Sequence, residues 1–300
     1  METGILLESG TNELEILEFR IGNNSYGINV AKIKEILTYQ KPTPIPNAHP
    51  FIEGIFMPRE EIVSIIDLTK CLGFPTKKNQ QGDMYIVTNF NKLQIAFHVD
   101  SVAGIHRVSW SDIIKPDDTI SSTTNSVATG IVKLDGKLIV ILDFEKIVSD
   151  ISPETGLKVS DIDHLSKRNR NDVPILMAED SHLLGKLIEE CLTKAGYTHI
   201  TYTNNGQEAW DKLQEYIASG DVVSKVQCII TDIEMPQMDG HRLTKLIKES
   251  PELKGIPVVI FSSLINEEMY RKGESLGADA QLTKPEIGNL VEALDKLLDK

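Results

Sequence analysis

Acidic and basic side chains in the C-terminal half of this 300-residue chain sit where apolar runs stop. Glu179-Asp180-Ser181 follows the run 174–178, and Asp232 follows Cys228-Ile229-Ile230-Thr231. A third run, 258–261, ends at Ser262-Ser263, and a short fourth, 280–283, ends at Lys284-Pro285. In a parallel α/β sheet the carboxyl ends of the strands line one crevice, so these groups are expected to converge there. Carboxylates are hard oxygen donors of the kind Mg²⁺ takes. Two or three of them with a hydroxyl and a lysine describe a site that holds Mg²⁺ and then a phosphoryl group.

The elements that must position these groups follow from the change of period at residue 173. Beyond it, strand-like runs alternate with amphipathic stretches such as 183–192 and 290–298, the rhythm of a doubly wound βαβ sheet. Residues 12–148 read instead as short strands. Leu14–Ile21 largely alternates, Gly22–Ser25 supplies a turn, and Tyr26–Val30 returns. Further strands are expected over 62–68, 84–88 and 93–97. The segment 129–142 predicts a hairpin, because Asp135-Gly136 suits a type I′ turn between alternating strands. One helix is expected in this half, where Val30, Ile33 and Leu37 fall at helical spacing beside Ile36. Pro42, Pro44 and Pro46 would close it. Many short strands with turn signals point to barrels. Residues 151–172, rich in Ser, Asp and Asn with a basic patch at 167–170, read as a linker between domains at 10–150 and 173–300. A helical extension through Phe144, Ile147, Val148 and Ile151 leads into it.

Composition removes several function classes. A net charge of −13 repels a phosphate backbone, so no nucleic-acid partner is expected. Seven scattered histidines lack zinc-ligand spacing. Three cysteines without a CxxC pair fit a reducing compartment. Apolar runs of a few residues fall far short of the roughly 20 needed to span a bilayer, and the acidic start at Met1-Glu2 is unlike a secretion signal. A cytoplasmic protein with no direct membrane insertion is expected.

Residues 173–300 resemble a response-regulator receiver domain through Glu179-Asp180, Asp232 with Met235–Gly240 behind it, Ser262, and Lys284-Pro285, in that order. The resemblance implies a flavodoxin-like fold and a phosphoacceptor, Asp232, that attacks phosphorus to give an acyl phosphate. It implies Mg²⁺ held by Asp180, Asp232 and the backbone carbonyl of Glu234, with Glu179 acting through a water. Lys284 would meet a phosphoryl oxygen as a point charge. Counting from Pro257, the family's mobile hydroxyl falls on Ser262 and its access-gating residue on Ser263. Met235, Pro236 and Met238 read as packing and turn residues, and Asp239-Gly240 as the entry to a helix. Where many receivers carry a switching aromatic ring, this chain has Gln281, so aromatic gating is not expected. Such a domain accepts phosphate and is not a multiple-turnover enzyme. An acid phosphohydrolase with a strand-end aspartate nucleophile needs a second aspartate two residues later; position 234 is glutamate.

Residues 10–150 resemble the CheW family of chemotaxis coupling proteins through Glu13–Gly22, Tyr26–Ile36, Ile45–Ile55, and Arg59 followed by Val63–Leu68. That resemblance implies two small SH3-like five-stranded β-barrels. The implied partners are the cytoplasmic tips of chemoreceptors and the histidine kinase CheA. Ile33 and Glu35 fall on the family's kinase-facing segment, and Arg59 on a contacting arginine. The family's glycine after that arginine is replaced by Glu60, so a different loop is expected. A CheW-like domain followed by a receiver is the arrangement of CheV-type coupling proteins. The implied function is a scaffold at receptor arrays whose signalling is modulated by phosphorylation of Asp232. The alternative is a phosphate sink for CheA, with the coupling domain serving as a tether.

Overall fold

Alternating apolar residues in Glu13–Ile21 (β1) and Asn24–Asn29 (β2) pair antiparallel across the turn at Gly22, with Phe19 opposite Tyr26. A computed structural model of the chain describes residues 10–75, 81–90, 93–115, 127–152, 171–284 and 286–298. It forms two compact units, one within Leu14–Val108 and Asp112–Thr155, the other chiefly within Gly156–Lys300. The expected linker lies mostly outside the described residues, as does Pro285.

In the N-terminal unit β3 is Ile33–Thr38, β4 Ile52–Phe56, β5 Val63–Asp67, β6 Met84–Phe90, β7 Leu93–Val99, β8 Ser101–Ser109, β9 Ala128–Leu134 and β10 Lys137–Leu142. They make two five-stranded sheets, ordered β8-β1-β2-β10-β9 and β3-β6-β7-β5-β4. Asp135 and Gly136 both have positive φ, 48° and 79°, as the type I′ turn of the β9–β10 hairpin requires. Phe144–Ile151 (α2, after the short α1 Leu68–Cys71) starts on the Asp143 side chain, which accepts the Lys146 N–H. Its Phe144, Ile147 and Val148 join a core shared by both sheets, with Phe19, Ile86 and Phe97. Phe144 meets Phe97 edge-on at 4.7 Å.

The helix expected over 30–37 is absent. A single 3₁₀ turn, Val30–Lys32, capped by the Asn29 side chain, gives way to strand β3. Ile33, Glu35 and Leu37 alternate with more exposed neighbours, and β3 pairs with β6 from Ile33 to Thr38. β-Branched Ile33 and Ile36 suit a pleated surface, and a sheet ladder overrides the weak helical spacing.

In the C-terminal unit the strands β11 Ile175–Ala178, β12 Ile200–Thr203, β13 Cys228–Thr231, β14 Val258–Ser262 and β15 Ala280–Thr283 are all parallel, ordered β12-β11-β13-β14-β15. This is the flavodoxin-like order, with β11 and β13 flanking the point where strand order reverses. The helices are α3 His182–Lys194, α4 Gly206–Ala218, α5 Gly240–Glu249, α6 Glu267–Ser275 and α7 Ile287–Leu298. One core lies under α3 and α7, around Ile188, Leu192, Leu290 and Leu294. The other lies under α4 and α5, around Ala209, Leu213, Leu243 and Ile247. Burial on both faces explains the unbroken apolar runs of β11, β13 and β14.

Candidate functional site

Each strand of the C-terminal sheet delivers its group by ending where it does. β11 stops at Ala178, and Ser181 caps α3 by accepting the Leu184 N–H, which leaves Glu179 and Asp180 on the loop between. β13 stops at Thr231, and the Asp232 N–H is held by the Ala178 carbonyl at 3.0 Å. The chain then turns sharply, because Asp239 caps α5 through the Arg242 N–H and the Gly240 N–H returns to the Ile233 carbonyl at 2.9 Å. A Cβ at Gly240 would collide with the Asp232 carbonyl; only glycine permits that approach.

The result is one cluster. Carboxylate oxygens of Glu179, Asp180 and Asp232 lie within 4.8 Å of one another. Lys284 reaches in from the end of β15, its Nζ 2.7 Å from Glu179 Oε2 and 2.8 Å from Asp232 Oδ2. The Ile233 N–H donates to Asp232 Oδ1 at 2.6 Å, and the Ser181 N–H to Glu179 Oε1 at 3.2 Å. Lys284, Glu179 and Asp232 are all buried. Burial pushes the Glu179 carboxyl up to about 7; the Lys284 ammonium opposes this and the Asp232 charge adds to it. Three carboxylates in one pocket repel one another, and an all-oxygen donor set of this kind fits a divalent hard cation.

Ser262 ends β14, fully buried, with its Oγ accepting the Leu264 N–H at 3.2 Å and its carbonyl the Lys284 N–H at 3.1 Å. Ser263 is also buried. Glu234 is half-buried in the turn after Asp232. Gln281 lies against Gly273 of α6 and donates from Nε2 to the Tyr270 carbonyl at 2.8 Å, so an amide ties β15 to that helix.

In the N-terminal unit the structure brings Glu35 and Arg59 together as an ion pair of 2.8 Å, while Ile33 packs against the core. The pair lines a groove of about 580 Å³ with Lys34, Glu60, Glu61 and Gln94. Glu60 has φ 60°. It therefore adopts the left-handed conformation that a glycine would favour.

Sequence reasoning missed two buried polar contacts. Tyr202 donates its hydroxyl to the Glu179 carbonyl at 2.6 Å. His98 bridges Glu53 through Nδ1 at 2.8 Å and Asp83 through Nε2 at 3.1 Å. Neither has a local motif: the partners come from segments far apart in sequence, and only the folded sheet brings them together.

Residues 15–152 match the CheW-like domain family, and residues 175–295 match the response regulator receiver domain family. The chain is 31% identical over 302 residues to "Chemotaxis protein CheV3" of Helicobacter pylori, covering 96% of each chain. It is 28% identical to "Chemotaxis protein CheV1" of the same organism, with 96% of this chain and 94% of that one covered. To "Chemotaxis protein CheW" of Thermotoga maritima it is 28% identical, over 50% of this chain and 98% of that protein. A CheW-like unit and a receiver unit within one chain, matched over 96% of its length by both CheV relatives, place the protein in the CheV family of chemotaxis proteins.

Proposed function

We propose that the protein is a chemotaxis coupling scaffold, with residues 10–150 joining chemoreceptor tips to the histidine kinase CheA and residues 173–300 receiving phosphate from that kinase. The observation that carries the reading is the pocket in which Lys284 and the carboxylates of Glu179, Asp180 and Asp232 meet at the strand ends of the receiver sheet. The working place of such a scaffold is the cytoplasmic face of receptor arrays; among the described residues no helix is long and apolar enough to cross a membrane.

In this reading Asp232 is the nucleophile. A carboxylate oxygen forms a bond to phosphorus as the bond to the kinase histidine nitrogen breaks, and that nitrogen keeps the electron pair. Asp180, Asp232 and the Glu234 carbonyl would hold Mg²⁺, with Glu179 acting through a water; when bound, the ion offsets repulsion between Asp232 and the phosphoryl oxygens. Lys284 already touches Asp232, so its ammonium is in place to pass from the carboxylate to a phosphoryl oxygen once Asp232 is esterified. Ser262 offers a hydroxyl from the adjacent strand end, and its movement toward the phosphoryl group would carry the 262–264 loop. Arg59, Glu35 and Ile33 are assigned to the partner-binding face.

The test is phosphotransfer from phospho-CheA to the full chain with Mg²⁺. Asp232→Ala should carry no acid-labile phosphate, and Asp180→Ala should need far more Mg²⁺. Phosphate retained on the Asp232 variant would overturn the assignment. Kinase activity in reconstituted arrays that is the same with and without the Asp232 carboxylate would leave the receiver only as a store of phosphate.

A further inference from the structure

The Glu179–Asp180 peptide carries two of the three clustered carboxylates, yet it lies beyond the last strand pairing. The β11–β12 ladder ends at Ala178 opposite Thr203. One more backbone bond follows, from the Glu179 N–H to the Thr203 carbonyl at 3.1 Å. The Glu179 carbonyl then accepts the Tyr202 hydroxyl at 2.6 Å. Tyr202 leaves β12 and passes under the first turn of α3, where Gly185 makes room: a Cβ at that position would collide with the tyrosine ring. His182 meets the same ring edge-on at 6.2 Å.

Carboxylates whose oxygens lie within 4.8 Å of one another push the loop that carries them apart. Lys284 offsets part of that force by bonding Glu179 and Asp232, and the backbone of the loop is held separately. The Tyr202 bond holds it at a chosen point, because fixing the Glu179 carbonyl fixes the plane of the peptide that leads into Asp180. We propose that Tyr202 is a positioning residue for the divalent cation: its hydroxyl holds the Glu179–Asp180 peptide so that both carboxylates aim at Asp232. Gly185 belongs to the same device, since its missing Cβ is what lets the ring reach the loop.

This inference rests on the phosphoacceptor reading, so its test includes a variant that addresses that reading alone. The measurement is Mn²⁺ affinity of the full chain by electron paramagnetic resonance, with uptake of phosphate from acetyl phosphate across a range of Mg²⁺. Removing a hydrogen-bond partner behind a metal ligand typically weakens the metal roughly 10-fold or more. Tyr202→Phe keeps the ring and removes the hydroxyl. It should weaken Mn²⁺ about 10-fold and lower uptake at limiting Mg²⁺, with uptake restored at saturating Mg²⁺. Gly185→Ala should reproduce the defect by displacing the ring, and the double variant should be no worse than either single one. Unchanged Mn²⁺ affinity in either single variant, additive losses in the double variant, or a defect that persists at saturating Mg²⁺ would each overturn the proposal. If Tyr202→Phe loses its fold by circular dichroism, the Gly185→Ala result decides alone. Asp232→Asn that still takes up phosphate would break the phosphoacceptor reading instead, whatever Tyr202 does.

Discussion

Each unit of this protein holds a buried basic side chain between two carboxylates, and the two arrangements do different things. In the receiver, Lys284 bonds Glu179 and Asp232 through a single atom, Nζ. In the β unit, His98 bonds Glu53 and Asp83 through opposite ring nitrogens. One nitrogen draws its carboxylates toward each other, so their oxygens cluster with Asp180 and can share a metal. An imidazole holds its carboxylates apart on either side of a ring, packed against Tyr39 at 5.0 Å and Tyr85 at 5.4 Å. The same classes of side chain thus build a reactive pocket in one place and a staple across a sheet in the other. Donor geometry, not charge count, separates them.

The largest expected effect comes from removing the cation in the reactive pocket. Lys284→Met leaves two buried carboxylates facing each other, and breaking a buried pair in this way costs about 3–5 kcal/mol. Thermal melts should show a large loss for the receiver transition. Saturating Mg²⁺ should restore more stability to the variant than it adds to the wild type, since the ion supplies the missing positive charge. Equal melting temperatures for variant and wild type without metal would mean that the ion pair does not hold the pocket.

The staple should respond to pH. Burial alone would lower the His98 imidazole, but the bonds and charges of Glu53 and Asp83 outweigh it and raise its pKa. A raised folded-state pKa means that the protonated ring stabilises the fold fully below the unfolded value of about 6.5. That contribution fades as pH rises through the folded-state value. Tyr39, whose hydroxyl burial and then Glu53 and Asp83 push up, stays neutral over this range and does not mask it. Hydrogen exchange at β7 should therefore speed up as pH rises above about 6.5, beyond the intrinsic rate change, and His98→Gln should flatten that excess. A wild-type excess no larger than that of the variant would show the staple to be uncharged.

The comparison also explains what the sequence discloses. Glu179, Asp180, Asp232 and Lys284 were legible because each sits at the end of an apolar run, and parallel strands bring their ends to one side. Asp135-Gly136 was legible because a two-residue turn is a local affair. Glu53 lies in β4, His98 in β7 and Asp83 just before β6, with no shared spacing, so only the assembled sheet, β4 on β5 on β7 on β6, brings them together. Tyr202 was hidden for the same reason, its partner being a backbone carbonyl in the loop after another strand. The mistaken helix at 30–37 shows the limit from the other side: three apolar positions at helical spacing lose to β-branched residues and a waiting sheet edge.

A third contrast lies between buried and exposed pairs. The Arg59 side chain is 78% exposed in its pair with Glu35. Water screens such a pair, so Arg59→Ala should cost the fold at most about 0.5 kcal/mol. Its effect should appear in binding of CheA or receptor fragments, measured by pull-down or calorimetry. A large loss of stability with unchanged binding would move Arg59 from the partner face to the fold.

The neighbouring residue should act on stability in the opposite direction. Glu60 holds φ at 60°, a conformation that strains an L residue by about 1–2 kcal/mol. Glycine would remove that strain but lose roughly 0.5–1 kcal/mol through the greater freedom of its unfolded chain. Glu60→Gly should therefore stabilise the β unit by about 0.5–1 kcal/mol, read as a shift in urea midpoint at constant slope. Because Glu60 also lines the groove beside Arg59, the same change removes a negative charge from it. If the left-handed turn persists and only the charge matters to a partner, Glu60→Gln should reproduce any change in binding without the gain in stability. Stabilisation by glutamine equal to that by glycine would locate the strain in side-chain charge instead of in the backbone.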